Sequence, residues 1–209
     1  HRYRECDHNF TEFFRTKTMM ILPIRAYGDT VLRKKGHDSS QDYHELKELI
    51  DNMFETMNAA HGIGLAAPQI GLDIRLFIVD VTPLADDEDY EDIADELKDF
   101  KKVFINARIL EESGNEWKFN EGCLSIPDVR EDVSRKETIL IEYFDENFVK
   151  HTETFSDIRA RVIQHEYDHS EGVLFTDKLS PLKKKIIKGK LTKITSGDIH
   201  VGYKMRFPK

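Results

Sequence analysis

The segment that most constrains this chain is His165–His169, in which two histidines stand four positions apart and a glutamate follows the first. An α-helix repeats every ~3.6 residues, so residues i and i+4 lie on one face. The imidazoles of His165 and His169 can therefore reach one metal ion, while Glu166 lies where a carboxylate can accept a proton from water. The pattern His-Glu-x-x-His on a helix is typical of zinc hydrolases.

A catalytic metal of this kind usually takes three protein ligands and keeps one position open. The third ligand can be Cys123, a carboxylate or another histidine. The chain has two cysteines, Cys6 and Cys123. A single thiol in the body of the chain excludes a disulfide scaffold and favours a reducing cytosol. Cys123 is therefore a nucleophile, a metal ligand or a buried structural thiol.

Size and composition predict one domain with a real core, because the chain has 209 residues of which 39% are hydrophobic. The net charge of −8 argues against nucleic-acid binding over the whole surface, and we expect no DNA partner. No apolar run reaches the ~18 residues of a membrane span, and the N-terminus has no apolar secretory region. We therefore expect a cytoplasmic protein without a membrane partner.

Residues 1–18 are polar and irregular, and Met19 and Met20 follow them. We expect the native chain to begin at one of these methionines, which makes residues 1–18 a non-native or disordered extension. Residues 19–209 would then form a single domain that ends in a basic helix or tail.

Hydrophobic periodicity predicts both helices and strands. Apolar residues spaced for one helical face indicate a helix over Ser40–His61. The helix with the two histidines should span Ser156–Gly172, with Ser156 as its N-cap and Gly172 just past its end. Segments rich in β-branched and aromatic residues predict strands at Ile74–Val81, Val103–Leu110, Thr138–Phe144 and Phe148–Phe155, the last two pairing as a hairpin.

Two segments are strongly charged. Residues 86–99 are acidic, and such runs are usually solvated loops or short surface helices. The segment Lys183–Lys193 is basic with interleaved apolar residues, which predicts an amphipathic helix. Its cationic face is either simply solvated or docks onto a polyanion such as ribosomal RNA.

Three segments together resemble the peptide deformylase family, whose signatures are G-φ-G-φ-A-A-x-Q, E-G-C-φ-S and Q-H-E-x-D-H, with φ apolar. They stand in the family's order as Gly62–Gln69, Glu121–Ser125 and Gln164–His169. The resemblance runs from about Ile21 to Leu182. It implies an α+β fold with antiparallel sheets packed around a central buried helix that carries the histidines. It also implies removal of the N-formyl group from the formyl-methionine of nascent polypeptides, with release of formate.

The resemblance further implies a role for individual residues. Cys123, His165 and His169 match the three metal ligands, and Fe(II) is the expected native ion, although Zn, Ni or Co can occupy the same ligands. Glu166 matches the general base and acid. Gln69 and the backbone N–H of Leu124 match the pair that hydrogen-bonds the developing oxyanion.

The remaining implied roles concern the substrate and the support of the site. Gly64 matches a position whose main chain contacts the peptide, and Arg130 one that is associated with the peptide end of the substrate. Glu121 matches an internal salt bridge beneath the cysteine loop. We expect the methionine pocket to be lined by Ile63, Ile126 and Val162.

Two other classes of protein remain open. The first is a metallopeptidase, although its third ligand is typically a downstream His or Glu, whereas Cys123 lies upstream. The second is a binding module with a structural metal, although such sites are closed and usually richer in cysteine.

The chain departs from the family pattern at Ser170, because peptide deformylases usually carry an apolar residue directly after the second histidine. His61 and His200 belong to no motif, and we expect them to be ordinary histidines.

Overall fold

The computed structural model describes residues 19–209, so the expectation for residues 1–18 lies outside the described residues. The strands are β1 (Ile24–Arg25), β2 (Gly64–Ala66), β3 (Leu76–Asp80), β4 (Lys101–Cys123), β5 (Ile126–Phe144), β6 (Lys150–Ser156) and β7 (Met205–Arg206). The α-helices are α1 (Leu46–Ala59), α2 (Ala94–Leu97), α3 (Asp157–Ser170) and α4 (Pro181–Ser196). Short 3-10 helices span Thr30–Arg33, Ala67–Ile70, Thr82–Asp86, Glu88–Ile93 and Phe175–Lys178.

The main sheet is antiparallel, with its five strands in the order β2-β3-β4-β5-β6. Strand β2 therefore lies at one edge of this sheet. Strands β1 and β7, from opposite ends of the described chain, form a separate parallel pair. This arrangement confirms the expected combination of helices with an antiparallel sheet.

Helix α3 packs across the main sheet and contacts β2, β3, β5 and β6. Its apolar residues are buried in one cluster with side chains of the sheet, because they recur on the face opposite to solvent. The cluster includes Ile158, Val162, Ile163, Phe77, Val79, Phe104, Ile139 and Ile141. The two histidines are thus carried by an element that the core holds rigidly.

Several element ends differ from the predicted ones. Residues 40–45 form turns, and α1 begins only at Leu46 because Glu45 has a left-handed backbone (φ 54°) that cannot continue a helix. Strands β4 and β5 are much longer than the predicted Val103–Leu110 and Thr138–Phe144. β4 and β5 remain paired across several bulges, so the polar residues of β4 after Leu110 are still hydrogen-bonded to β5 as strand residues.

The expected N-cap position of α3 is confirmed, but the side chain at that position does not cap the helix. Ser156 occupies the N-cap position, but its hydroxyl shares a 3.0 Å hydrogen bond with the Thr138 hydroxyl and does not cap the helix. Asp157 instead accepts a hydrogen bond from the backbone N–H of Arg159 at 3.0 Å. At the other end Gly172 has the expected left-handed backbone (φ 73°), which a C′ glycine adopts without steric cost.

The two charged segments lie at the surface. The acidic run forms the 3-10 helix Glu88–Ile93 and α2, as predicted for a solvated insert, although Leu97 is fully buried in the core. The basic segment forms α4, which packs on the core through Ile187 and Ile194 and leaves Ile186 exposed. Among residues 19–209, no helix is long and apolar enough to cross a membrane.

Candidate metal centre

Three side chains converge where the β4–β5 turn meets α3. The Sγ atom of Cys123 and one imidazole nitrogen of each of His165 and His169 all lie within 4.8 Å of one another. The Cys123 Sγ is 3.4 Å from the His169 Nε2. Tetrahedral coordination with metal–sulfur and metal–nitrogen bonds of ~2.3 and ~2.1 Å places such donors about 3.6 Å apart. One thiol and two imidazoles at this spacing fit a divalent transition-metal ion.

The orientation of His165 is set by a buried carboxylate. Glu121 Oε1 lies 3.0 Å from the His165 Nδ1, which leaves the Nε2 of the ring free to face the other two donors. A carboxylate behind a histidine is the usual way in which proteins fix the tautomer of a metal ligand. Glu121 also receives hydrogen bonds from Arg135 at 2.8 and 3.0 Å and from Arg161 at 2.9 Å. Glu121, two residues before Cys123, is therefore linked to α3 through the side chains of His165 and Arg161.

The electrostatics follow from burial and from this network. Burial alone would raise the pKa of Glu121, but hydrogen bonds from His165 and Arg135 outweigh it and hold that pKa far below its usual value. Burial opposes protonation of His165, yet its hydrogen bonds to Cys123 and Glu121 raise the pKa of its imidazole well above the usual range. Burial lowers the pKa of His169, which favours the neutral imidazole that a metal ligand requires.

Glu166 is buried beside the three donors. Burial raises the pKa of its carboxyl to about 7, so that the group can exchange a proton near neutral pH. Its Oε2 atom has no hydrogen-bond partner within residues 19–209. The main chain of β2 passes close by, since a Cβ atom at Gly64 would lie only 2.6 Å from the Glu166 Oε1. A side chain at Gly64 would displace this carboxylate.

The carboxamide of Gln69 is held in one orientation. Its Oε1 accepts a hydrogen bond from the backbone N–H of Ala66 at 2.9 Å. Its Nε2 therefore points the other way and lies 3.2 Å from the Ser125 Oγ and 3.5 Å from the Cys123 Sγ. A fixed N–H donor beside a metal centre can stabilise negative charge on an oxygen of a substrate.

The other predicted site residues line one cavity of about 540 Å³ next to these groups. Leu124 lies in the two-residue turn between β4 and β5. Arg130 is exposed at the rim, where its guanidinium donates to the side chain and carbonyl of Asn120. The structure thus brings together every predicted site residue, with Ile63, Gly64, Gln69, Leu124, Ile126, Arg130, Val162 and Glu166 all lining the cavity.

Sequence reasoning missed several residues of the site. Arg135 and Arg161 are buried against Glu121, and Arg161 could have been found because it stands one helical turn before His165 on the inward face. No sequence motif marks Arg135, because its contact with Glu121 arises only when β4 pairs with β5. Tyr203, His200 and His61 also line the cavity, although both histidines were expected to be ordinary.

Comparison with known proteins agrees with this geometry. The model of the polypeptide deformylase family matches residues 21–185. The chain is 62% identical over 190 residues to a peptide deformylase of Christiangramia forsetii. The aligned region covers 90% of this chain and 97% of that protein. The chain belongs to the peptide deformylase family. Members of this family are metallohydrolases that remove the N-formyl group from nascent polypeptides.

Solved peptide deformylases share the fold as well. The structure of a peptide deformylase from Legionella pneumophila matches with a TM-score of 0.72 and 35% identity, over 86% of this chain and 98% of that one. A Plasmodium falciparum peptide deformylase matches with a TM-score of 0.73 and 32% identity, over 83% of this chain and 95% of that one. The sequence resemblance to peptide deformylases is thereby confirmed.

Proposed function

We propose that this deformylase works through one divalent ion held by Cys123, His165 and His169, with helix α3 as the structural centre of the catalytic unit. The convergence of one thiol and two imidazoles within 4.8 Å carries this proposal. When bound, the ion acts as a Lewis acid that activates water and polarises the formyl carbonyl. Fe(II) is our expectation for the native ion, and a mixed sulfur and nitrogen donor set also accepts Zn, Ni or Co.

Glu166 would serve as the group that moves protons. Its buried carboxylate accepts a proton as water attacks the formyl carbon, and the protonated carboxyl then gives it to the departing amine. The C–N bond breaks to give formate and a free α-amine: water supplies one oxygen of formate, and one of its protons passes to the amine nitrogen. A pKa raised to about 7 suits a group that must accept and release a proton in one turnover.

Gln69 and Leu124 would stabilise the charge that develops on the formyl oxygen. The Gln69 Nε2 and the backbone N–H of Leu124 flank the Cys123 thiol, one from the 3-10 helix after β2 and the other from the β4–β5 turn. Because both donors are fixed before substrate binds, they require little reorganisation during the reaction. Neither carries a charge that would hold the product.

The substrate would bind as an added strand. β2 is an edge strand, and the absence of a side chain at Gly64 lets an extended peptide approach its main chain. Backbone pairing reads no side chains beyond the first, which suits an enzyme that must accept many nascent chains. Ile63, Ile126 and Val162 would form the pocket for methionine, and Arg130 would meet the peptide farther along.

The surface of α4 supports a further proposal about location. Lys184, Lys185 and Lys188 are exposed on a helix whose other face packs on the core. Contact of this face with ribosomal RNA would place a cytoplasmic enzyme beside emerging chains. Cosedimentation of the protein with ribosomes should fall when Lys185 and Lys188 are replaced by glutamate, whereas unchanged cosedimentation would refute this contact.

Formate release tests the main proposal. Anaerobic protein loaded with Fe(II) or Ni(II) should release formate from a formyl-methionyl tripeptide and no acetate from its acetyl counterpart. Glu166→Gln should keep the fold and bind metal but lose turnover by about 10²–10⁴-fold. Glu153→Gln is the control, because Glu153 does not line the cavity. Full activity of Glu166→Gln would refute the role of this residue. Cleavage of internal peptide bonds would favour a peptidase.

A further inference from the structure

The C-terminal segment of the chain folds back to the active-site cavity. Residues 197–209 lie beyond the region 21–185 that the family model matches. α4 ends at Ser196, the left-handed backbone of Gly197 (φ 76°) then turns the chain, and strand β7 pairs with β1. The segment is therefore anchored at both ends. Between these anchors, residues 200–203 line the cavity.

Tyr203 makes the most specific contact of this segment. Its hydroxyl donates to the carbonyl oxygen of Leu124 at 2.7 Å. Leu124 and Ser125 form the two-residue turn that follows Cys123. The backbone N–H of Tyr27 donates to the Ser125 carbonyl at 2.8 Å, and Tyr27 lies two residues after the end of β1. The same pair of strands therefore supports both carbonyl contacts of the turn.

We propose that Tyr203 is a positioning residue for deformylation, because its hydroxyl fixes the turn that carries the Leu124 N–H and the Cys123 thiol. This inference rests on the proposed function, in which the Leu124 N–H meets the developing oxyanion. Tyr203 itself touches the turn and not the reacting atoms. The family model ends before this residue, so the positioning device belongs to the C-terminal segment of this chain.

The physical reason is the short length of the turn. With only two residues between paired strands, the backbone angles of Leu124 set both where its carbonyl points and where its N–H points. A donor that is aimed at a developing charge loses its effect when it moves by even a fraction of an ångström, and a misplacement of ~1 Å costs up to about 10²-fold in rate. Loss of the Tyr203 hydroxyl frees the carbonyl to rotate towards water.

A purely structural role predicts a different result. The Tyr203 ring packs against an apolar cluster that includes Met57 and Leu65, so that removal of the whole side chain would also loosen the core. Tyr203→Phe keeps the ring and removes only the hydroxyl. Tyr43 packs against the same cluster, three residues before α1 begins, and Tyr43→Phe is therefore the matched control.

The experiment compares metal-loaded Tyr203→Phe, Tyr43→Phe and the unchanged protein. Tyr203→Phe should lower kcat about tenfold, equal to ~1.4 kcal/mol of activation free energy, and leave KM and the thermal midpoint within error. The carbonyl ¹³C shift of Leu124, read by NMR in the zinc-loaded protein, should change in Tyr203→Phe and stay constant in Tyr43→Phe.

The outcomes separate this inference from the proposed function. Unchanged kcat in Tyr203→Phe, with a shifted Leu124 carbonyl, would show that the hydrogen bond exists but positions nothing, which overturns the proposal. A rise in KM alone would also overturn it, because Tyr203 would then bind substrate. If even the unchanged protein released no formate, the proposed function would fail, and the Leu124 shift would still show whether Tyr203 holds the turn.

Discussion

Replacement of Glu121 by glutamine tests the buried network that supports the proposed metal centre. The change keeps the shape of the side chain and removes its charge. Glu121 is 3% exposed, and its partners Arg135 and Arg161 are 7% and 1% exposed, so water cannot replace the lost carboxylate. Arg135 retains Asp168 at 2.8 Å, and Arg161 retains the carbonyls of Val133 and Trp117.

The retained partners set the expected magnitude. Removal of one partner of a buried ion pair typically costs ~3–5 kcal/mol, because the other charge stays buried without compensation. Both arginines keep other acceptors, and the glutamine carbonyl can still accept one hydrogen bond. We therefore expect the free energy of unfolding to fall by about 3 kcal/mol. Since His165 loses its anionic partner, metal affinity should also fall by about 10–100-fold.

Urea unfolding of metal-free protein, followed by a chelator competition for metal affinity, measures the two effects separately. The matched control is Glu142→Gln, because Glu142 pairs with Lys150 at 3.3 Å with side chains that are 35% and 55% exposed. An exposed pair of this kind contributes less than ~1 kcal/mol. A loss in Glu121→Gln no larger than that of the control would refute the reasoning.

The same comparison predicts a dependence on pH. The folded-state pKa of Glu121 lies far below its ordinary value of 4.5, since hydrogen bonds from His165 and Arg135 outweigh the cost of burial. For a depressed carboxyl pKa, the stabilisation is fully present above the unfolded-state pKa and is lost as the pH falls through the folded-state pKa. The part of the stability difference between Glu121→Gln and the unchanged protein that comes from ionisation of Glu121 should be fully present above about pH 5 and should narrow as the pH falls further.

Three further predictions concern the site itself. Gln69→Ala should lower kcat by about 10²–10³-fold with little change in KM, measured by formate release. Gly64→Ala places a Cβ atom 2.6 Å from the Glu166 Oε1, and we expect at least a tenfold loss of kcat with ~1–3 kcal/mol of destabilisation in urea. Metal at 1,000 times its Kd should add about 4 kcal/mol to the free energy of unfolding, which EDTA should remove.

The parts of the site that could be predicted from sequence are those encoded locally. Helical periodicity alone predicts His165 and His169 on one face, whereas the choice of Cys123 as the third donor came from the resemblance to peptide deformylases. Helix α3 and the hairpin β5–β6 were found for the same reason, since each is decided within about fifteen residues. The full length of β4 and β5 could not be predicted, because bulged pairing keeps even polar residues in strand conformation.

The parts that escaped prediction depend on distant pairing. Arg135 reaches Glu121 only because β4 and β5 are antiparallel around the turn at Leu124. Tyr203 reaches that turn only because β7 pairs with β1 across the whole length of the chain. Neither residue stands in a motif, and no periodicity marks either one. Contacts of this kind need the three-dimensional fold before they can be recognised.

The cost of the Glu121 network indicates why the fold keeps it. Burying one carboxylate and two guanidinium groups stabilises a protein little, and apolar residues of the same volume are often as good or better. An apolar side chain at position 121, however, could not hold the Nδ1 of His165, and α3 would lose its charged link to β4 two residues before Cys123. Two of the three proposed metal donors thus depend on this one carboxylate for their relative placement. The charged network around Glu121 is therefore best explained by the donor geometry that a metal requires. The stability of the fold comes instead from apolar burial, as in the cluster of α3 with the main sheet.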